Sequence, residues 1–325
     1  MDLLRVCIVG AGNLSSRKIY PLIGTAGAQL VGVCDIDKTK AEKNASLWGG
    51  KCYTDMEYML DTEKPDAVII CISAQMHAKL AALAMRKGVP VYTEKPPAES
   101  ASSALELAKI SKETGVLCTT AFKKRYNIVY SRAKDWLSKF NEEDFYSISI
   151  NYASKQYENN SLKRSFLFDF AIHVIDLIQY LFGDASKVFA FSKGPDAFAV
   201  SILFKNGSVG TLNLNDGRSF SIPTEEVEIT VKGGNFMSIH NSSVYKIAEK
   251  ERAIEWREPP IFTSSGDSGH ETGHLSEIID FFSAVRDKRT TRSNVYESYK
   301  SMVLYEAINE SANSEKIINV KYENI

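Results

Sequence analysis

The ten residues Val6-Cys7-Ile8-Val9-Gly10-Ala11-Gly12-Asn13-Leu14-Ser15 constrain the fold more than any other stretch of the chain. An uninterrupted apolar run suits a strand buried on both faces, as in parallel sheets. The two glycines that follow let the backbone turn from strand to helix with no Cβ in the way. The first third repeats this plan. Apolar runs at Leu3–Val9, Gln29–Cys34, Ala67–Ile72, Val89–Thr93 and Val116–Thr120 alternate with helical patterns near Leu14–Ile23, Lys38–Trp48, Met76–Lys87 and Ala101–Glu113. Short apolar strands separated by helices predict an α/β domain with a doubly wound parallel sheet and right-handed crossovers. Gly88 is placed to stop the third helix.

The pattern changes after Phe122. Helices are expected over Ile128–Lys139 and Phe168–Leu181. Two-residue alternation then predicts strands at Lys187–Phe191, Phe198–Phe204, Ser208–Leu214 and Glu226–Val231. Asn206-Gly207 is a tight-hairpin signal, and Gly233-Gly234 is a second turn. Helices follow at His274–Arg286 and Tyr296–Ser311, with Leu275, Ile278, Ile279, Phe282 and Val285 expected to face a core. A short strand at Lys316–Val320 should join a sheet edge. Residues 1–122 are thus expected to form one domain. Residues 123–325 form a second, α+β domain with a large, mainly antiparallel sheet. One face of that sheet is covered by helices; the other is open to a second subunit. The most loop-like stretches are Gln156–Leu162 and Pro259–Gly269, the latter a candidate flap over a site.

With 325 residues the chain is long enough for two cores. A net charge of −1 gives no electrostatic reason to expect nucleic acid or an anionic membrane as partner. No apolar run approaches the ~20 residues that span a bilayer, and no leader pattern precedes Leu3. The five cysteines contain no CxxC pair; Cys7, Cys34, Cys71 and Cys118 lie in or beside apolar strands. That usage fits small core residues kept reduced in a cytoplasm.

Gly10 and Gly12 let the backbone approach a phosphate. The helix opening at Asn13 and Leu14 would aim its amides and positive dipole end at a dinucleotide pyrophosphate. Ser15 is a small residue in the third position of the fingerprint. Asp35 ends the second strand, where an acid holds the adenosine ribose hydroxyls; capping of the next helix is its alternative role. Asp37 adds negative charge and Ile36 offers no basic partner, so NAD is expected over NADP.

Val91-Tyr92-Thr93-Glu94-Lys95-Pro96 sets a lysine at the end of another apolar strand, at the mouth of the same sheet. Asp169, His173 and Asp176 are spaced to share one helix face. If that face looks at a nicotinamide, His173 can take a hydroxyl proton as hydride leaves the same carbon. Lys95 can hydrogen-bond that oxygen and stabilise alkoxide character. A lone histidine on an apolar helix is more often a core residue; here the flanking acids favour a base.

The spacing Gly10-x-Gly12, Asp35, His77, Gly88, Glu94-Lys95-Pro96 resembles the glucose–fructose oxidoreductase, inositol dehydrogenase and MocA (Gfo/Idh/MocA) family. So does Asp169-Phe-Ala-Ile-His173-Val-Ile-Asp176-Leu followed by Leu181-Phe182-Gly183. The resemblance spans nearly the whole chain. It implies an NAD-dependent oxidoreductase that moves a hydride to or from a hydroxyl or carbonyl carbon of a sugar, cyclitol, polyol or sugar acid. It assigns catalysis to Lys95, Asp169 and His173, substrate contact to Asp176, and cofactor contacts to Ser73, His77 and Glu94 beside the glycine turn; a helix-start packing role is the alternative for His77, and Glu94 positions either Lys95 or the nicotinamide ribose. Lys123, Arg125 and His270 join the expected substrate set. A homodimer or homotetramer is implied by analogy. A catalytically silent NAD-binding regulator and an NAD-assisted glycoside-cleaving enzyme are the alternatives on this fold. The sequence departs from the family at Lys163-Arg164-Ser165, where a glycine-rich run is usual, at Ala171, and at Ile72-Ser73-Ala74. Lys163 and Arg164, with Lys123, Lys124 and Arg125, suit either an anionic substrate or a solvated basic surface.

His270-Glu271-Thr272-Gly273-His274 matches the zinc-protease string, which needs both histidines on one continuous helix and a third ligand. Gly273 interrupts it and the apolar rhythm begins only at Leu275, so no metal site is expected and His270 is placed in the loop.

Overall fold

The computed structural model describes residues 3–155, 166–219, 222–258 and 271–325. The chain forms two compact units: Met1–Lys123 with Gly273–Tyr299 and Ile325, and Lys124–Thr272 with Lys300–Asn324.

The first unit is built on a six-stranded, all-parallel sheet. Its strands are β1 (Leu4–Val9), β2 (Ala28–Cys34), β3 (Lys51–Tyr53), β4 (Ala67–Ile70), β5 (Val91–Thr93) and β6 (Cys118–Thr120), in spatial order β3-β2-β1-β4-β5-β6. Strand order reverses at β1/β4, which brings the β1 and β4 carboxyl ends to a topological switch point, the ligand crevice of doubly wound sheets. Helices α1 (Lys38–Trp48), α2 (Met56–Glu63), α3 (Ala74–Arg86) and α4 (Ala101–Thr114) connect the strands. Val6 and Ile8 pack into one apolar cluster and Cys7 and Val9 into another, so β1 is buried on both sides.

Two expectations change here. The helix expected over Leu14–Ile23 is a π-type turn, Ser15–Ile19, followed by a 3₁₀ turn, Tyr20–Leu22. Pro21 lacks an amide hydrogen and its ring clashes with a regular helix, so the segment is broken there. Second, β3 and α2 fill the stretch between α1 and β4. Asp55 caps α2 by accepting the Tyr58 amide at 2.7 Å.

The second unit holds a nine-stranded mixed sheet: β7 (Phe145–Ala153), β8 (Ala185–Lys193), β9 (Ala197–Phe204), β10 (Val209–Asn215), β11 (Thr224–Val231), β12 (Asn235–His240), β13 (Val244–Glu249), β14 (Arg252–Arg257) and β15 (Ile318–Asn319). The order is β14-β13-β12-β11-β7-β10-β9-β8-β15, with β7 and β10 parallel and the other pairs antiparallel. Helices α5 (Ile128–Leu137) and α6 (Ile172–Phe182) share one core with the inward residues of the sheet. Strand β11 alternates strictly: Val227, Ile229 and Val231 are buried while Glu226, Glu228 and Thr230 are exposed.

Helix α7 (His274–Asp287) belongs to the first unit, because Leu275, Ile278, Phe281 and Phe282 pack into the cluster of Ile8, Ile69 and Tyr92. Its buried stripe differs from the expected one. Glu277 and Phe281 are inside, and Ile279 is exposed. Helix α8 (Val295–Ser314) follows.

Candidate active site

In each unit the candidate residues sit at the end of a regular element. In the first unit, β1 ends in Gly10, whose amide donates to the Cys34 carbonyl at 2.8 Å. Gly10 has φ +104°, and a Cβ there would lie 2.0 Å from the Cys71 carbonyl oxygen, so only glycine fits. Gly12 differs: a Cβ would meet no atom within 4 Å, and the residue is exposed. Open space therefore lies over this turn, where a pyrophosphate would be cradled. Ser15 is fully buried, and its hydroxyl donates to the Gly12 carbonyl at 3.0 Å. Asn13 and Leu14 are exposed on the turn.

Asp35 is tied to the turn. One carboxylate oxygen accepts the Ala11 amide at 2.7 Å and the other the Asp37 amide at 2.9 Å. The cap of α1 is Asp37, which accepts the Thr39 amide at 3.1 Å. Asp35 is therefore fixed at the lip of the glycine turn, and its oxygens keep lone pairs for ribose hydroxyls. The turn, Asp35 and the following amides fit a dinucleotide.

At the β5 end, the Glu94 amide donates to the Ile70 carbonyl at 2.9 Å, and its buried carboxyl accepts the Lys95 amide at 3.2 Å. The Lys95–Pro96 peptide is cis. The Pro96 carbonyl accepts buried His77 Nδ1–H at 2.8 Å, which holds the first turn of α3 against the Glu-Lys-Pro loop. Ser73 is the N-terminal flanking residue of α3 and is half-buried. Burial pushes the Glu94 carboxyl up, against the pull of Lys95 and Lys123. Lys95 and Lys123 are both half-buried.

In the second unit, Asp169 lies in a π-type turn, Leu167–Ala171, and His173 is the second residue of α6. π turns recur at functional sites. Both side chains are half-buried. Asp176 is not on the same footing. It is fully buried and accepts Arg125 Nη2 at 2.8 Å, Arg125 Nε at 2.9 Å and the Ser301 hydroxyl at 2.7 Å. Arg125 is itself buried and stacks over the Tyr180 ring. Lys124 pairs with buried Glu225, which also accepts the hydroxyls of Tyr130 and Ser242. The row Lys123-Lys124-Arg125 is thus no solvated basic strip: its second and third members are neutralised inside the protein. These partners lie 101 and 51 residues away along the chain, beyond the reach of any local pattern.

His270, Lys163, Arg164 and the stretches expected to be loops at 156–162 and 259–269 lie outside the described residues. Gly273 has φ +92° and α7 starts at His274, so the zinc-protease string does not continue one helix there. Burial pushes the thiols of Cys7, Cys34 and Cys118 up to about 12, which keeps them protonated.

A glycine turn at a parallel-sheet switch point, with an acid fixed beside it, is the architecture of a dinucleotide-binding domain. Residues 4–122 match the oxidoreductase-family model described as the NAD-binding Rossmann fold, and residues 141–321 match the same family's C-terminal alpha/beta domain. The chain belongs to the Gfo/Idh/MocA oxidoreductase family. It is 26% identical over 311 residues to 4-carboxy-2-hydroxymuconate-6-semialdehyde dehydrogenase of Sphingobium, covering 90% of this chain and 93% of that protein. It spans only about half of other relatives, such as D-glucoside 3-dehydrogenase of Escherichia coli (25% identical, 55% of this chain and 54% of that protein). The fold matches an Agrobacterium radiobacter oxidoreductase solved with NAD+, L-tartaric acid and magnesium, at TM-score 0.87 and 16% identity, covering 98% of both chains. No helix among the described residues is long and apolar enough to cross a membrane.

Proposed function

We propose that the protein oxidises or reduces one carbon of a sugar, cyclitol, related polyol or sugar acid, with Lys95, Asp169 and His173 as its catalytic residues. The observation that carries this reading is the pairing of an intact Glu94-Lys95-Pro96 corner with Asp169 and His173 on consecutive turns in a chain of this family. In the oxidative direction His173 accepts the substrate hydroxyl proton. Lys95 donates a hydrogen bond to the same oxygen and opposes its developing negative charge. Asp169 orients the imidazole or accepts from a neighbouring hydroxyl. The bound nicotinamide supplies the two-electron acceptor for the hydride that leaves carbon. Gly10, Gly12, Asn13 and Leu14 would hold its pyrophosphate, Asp35 the adenosine ribose, and Ser73, His77 and Glu94 the nicotinamide side.

NAD is preferred over NADP. Asp35 and Asp37 repel a 2′-phosphate, and Ile36, 95% exposed between them, offers it no positive charge. The substrate-binding set is Lys123 together with His270, while Arg125 and Asp176 hold α6 in place through their ion pair. The protein works as a cytoplasmic homodimer or homotetramer through the open face of the nine-stranded sheet. Support comes from apolar side chains there: Leu203 opposes Val209 across β9 and β10, and on β8 the exposed Phe191 meets Phe189 edge to face at 4.7 Å. Light scattering coupled to size exclusion measures the state directly.

The test of function is turnover on a panel of aldoses, cyclitols and sugar acids with NAD or NADP. NAD-linked oxidation of at least one compound is expected, with Lys95→Ala and His173→Ala each losing about 100-fold or more. Wild-type rates in both variants would refute the assignment. Tight NAD binding with no turnover across the panel would favour a regulator. Release of an aglycone without net NADH would favour glycoside cleavage.

A further inference from the structure

Helix α7 carries an acid where its amphipathic rhythm calls for an apolar side chain. Glu277 lies on the stripe of Ile278 and Phe281, both fully buried, and is itself 1% exposed. Its Oε1 accepts the Tyr92 hydroxyl at 2.7 Å, while Oε2 has no hydrogen-bond partner. Tyr92 is the middle residue of β5 and Glu94 directly follows that strand; the Glu94 carboxylate lies near enough to Glu277 to act on its charge, so α7 sets Glu277 behind the Glu-Lys-Pro corner.

We propose that Glu277 is held as a neutral acid and is a positioning residue for Lys95: it keeps the buried β5 corner at one carboxylate, Glu94, opposite the Lys95 ammonium. The proposal rests on the reading of Lys95 as donor to the reacting oxygen. An uncompensated carboxylate in such a place is costly, and two carboxyl groups sharing a buried site do not both ionise. Burial and Glu94 push the Glu277 carboxyl well up, against smaller pulls from Tyr92 and Lys123. The groups that act on this corner are Tyr92, Glu94 and Lys95 at the β5 end, Cys71 after β4 and Lys123 after β6; on α7 itself the ionisable neighbours one turn to either side of Glu277 are His274 and Asp280, the latter paired with Arg289. Ionised Glu277 would add a second negative charge behind Lys95. That charge would draw the ammonium away from the substrate oxygen and weaken its opposition to alkoxide charge.

The experiment compares the full-length wild type with Glu277→Gln and Glu277→Leu. Infrared difference spectra at pH 7 are expected to show one protonated-carboxyl C=O band in the wild type that is missing in Glu277→Gln. This arm needs no substrate, so it decides the proposal even if the proposed activity fails. In turnover, Glu277→Leu leaves the Tyr92 hydroxyl without its acceptor and is expected to lower kcat about 10-fold, with Glu277→Gln recovering most of that loss. The alkaline limb of kcat/KM should move up by about one pH unit in Glu277→Gln, because no second carboxylate can form. An unchanged infrared band would overturn the proposal. So would an alkaline limb identical to the wild type, or a Gln variant as impaired as the Leu variant.

Discussion

Removing either member of the Arg125–Asp176 pair should unfold the second unit at markedly lower temperature. The two side chains are 1% and 0% exposed, and the carboxylate takes two guanidinium nitrogens and the Ser301 hydroxyl. Arg125→Met leaves a buried carboxylate without its guanidinium, and Asp176→Leu leaves a buried guanidinium without its carboxylate. Breaking a buried pair from one side costs about 3–5 kcal/mol. At about 2–4 °C per kcal/mol for a domain of this size, the melting temperature should fall by roughly 6–20 °C. Replacing both residues removes both charges, so the Arg125→Met/Asp176→Leu double variant should recover to within about 2 kcal/mol of the wild type. Calorimetry and urea unfolding on the four corners of this cycle give the coupling energy. Single variants that each lose less than about 1 kcal/mol, or a double variant that loses the sum of both, would refute the reasoning.

The two glycines of the turn should separate folding from binding. Gly10→Ala drives a Cβ into the Cys71 carbonyl and should lower the melting temperature of the apo protein. Gly12→Ala meets no atom and should leave it unchanged, yet weaken NADH binding by at least about 10-fold by fluorescence titration. In the acid range, Arg132 and Tyr245 hold the Glu255 carboxyl down at about 2. Its folded value is below the unfolded value of about 4.3, so its contribution is present above that pH and is lost as pH falls toward 2; Glu255→Gln should flatten that part of the stability curve. Glu277 has the opposite sign. Its raised carboxyl contributes stability below the unfolded value, and that contribution is lost as pH rises through the folded one, so Glu277→Gln should flatten the curve on the alkaline side of about 4.3.

Local signals carried most of what could be read in advance. The glycine turn, Asp35 and the Asp169–His173 spacing each fit within one strand–turn–helix or one helix, where sequence distance and spatial distance agree. Pro21 was a local signal too, and it broke a helix that the apolar spacing alone predicted. The central strand β7 escaped because its buried residues are Phe145, Ile148, Ile150 and Ala153. A register shift beside Val231, which pairs with Phe145, sets the first two three positions apart and spoils the two-residue rhythm. The partners of Lys124 and Arg125 come from strands and helices far along the chain, so three consecutive cations looked like one basic patch. Glu277 did leave a trace: a carboxylate on the apolar stripe of α7 is a local contradiction that its burial resolves.

The central claim is that Lys95 and His173 act on one substrate oxygen. A crystal structure of the protein with NADH and a compound it turns over tests this most directly. The account predicts Lys95 Nζ and a His173 ring nitrogen each about 2.6–3.2 Å from the same oxygen, with its carbon facing the nicotinamide. A bound substrate whose reacting oxygen touches only one of them, or neither, would contradict it.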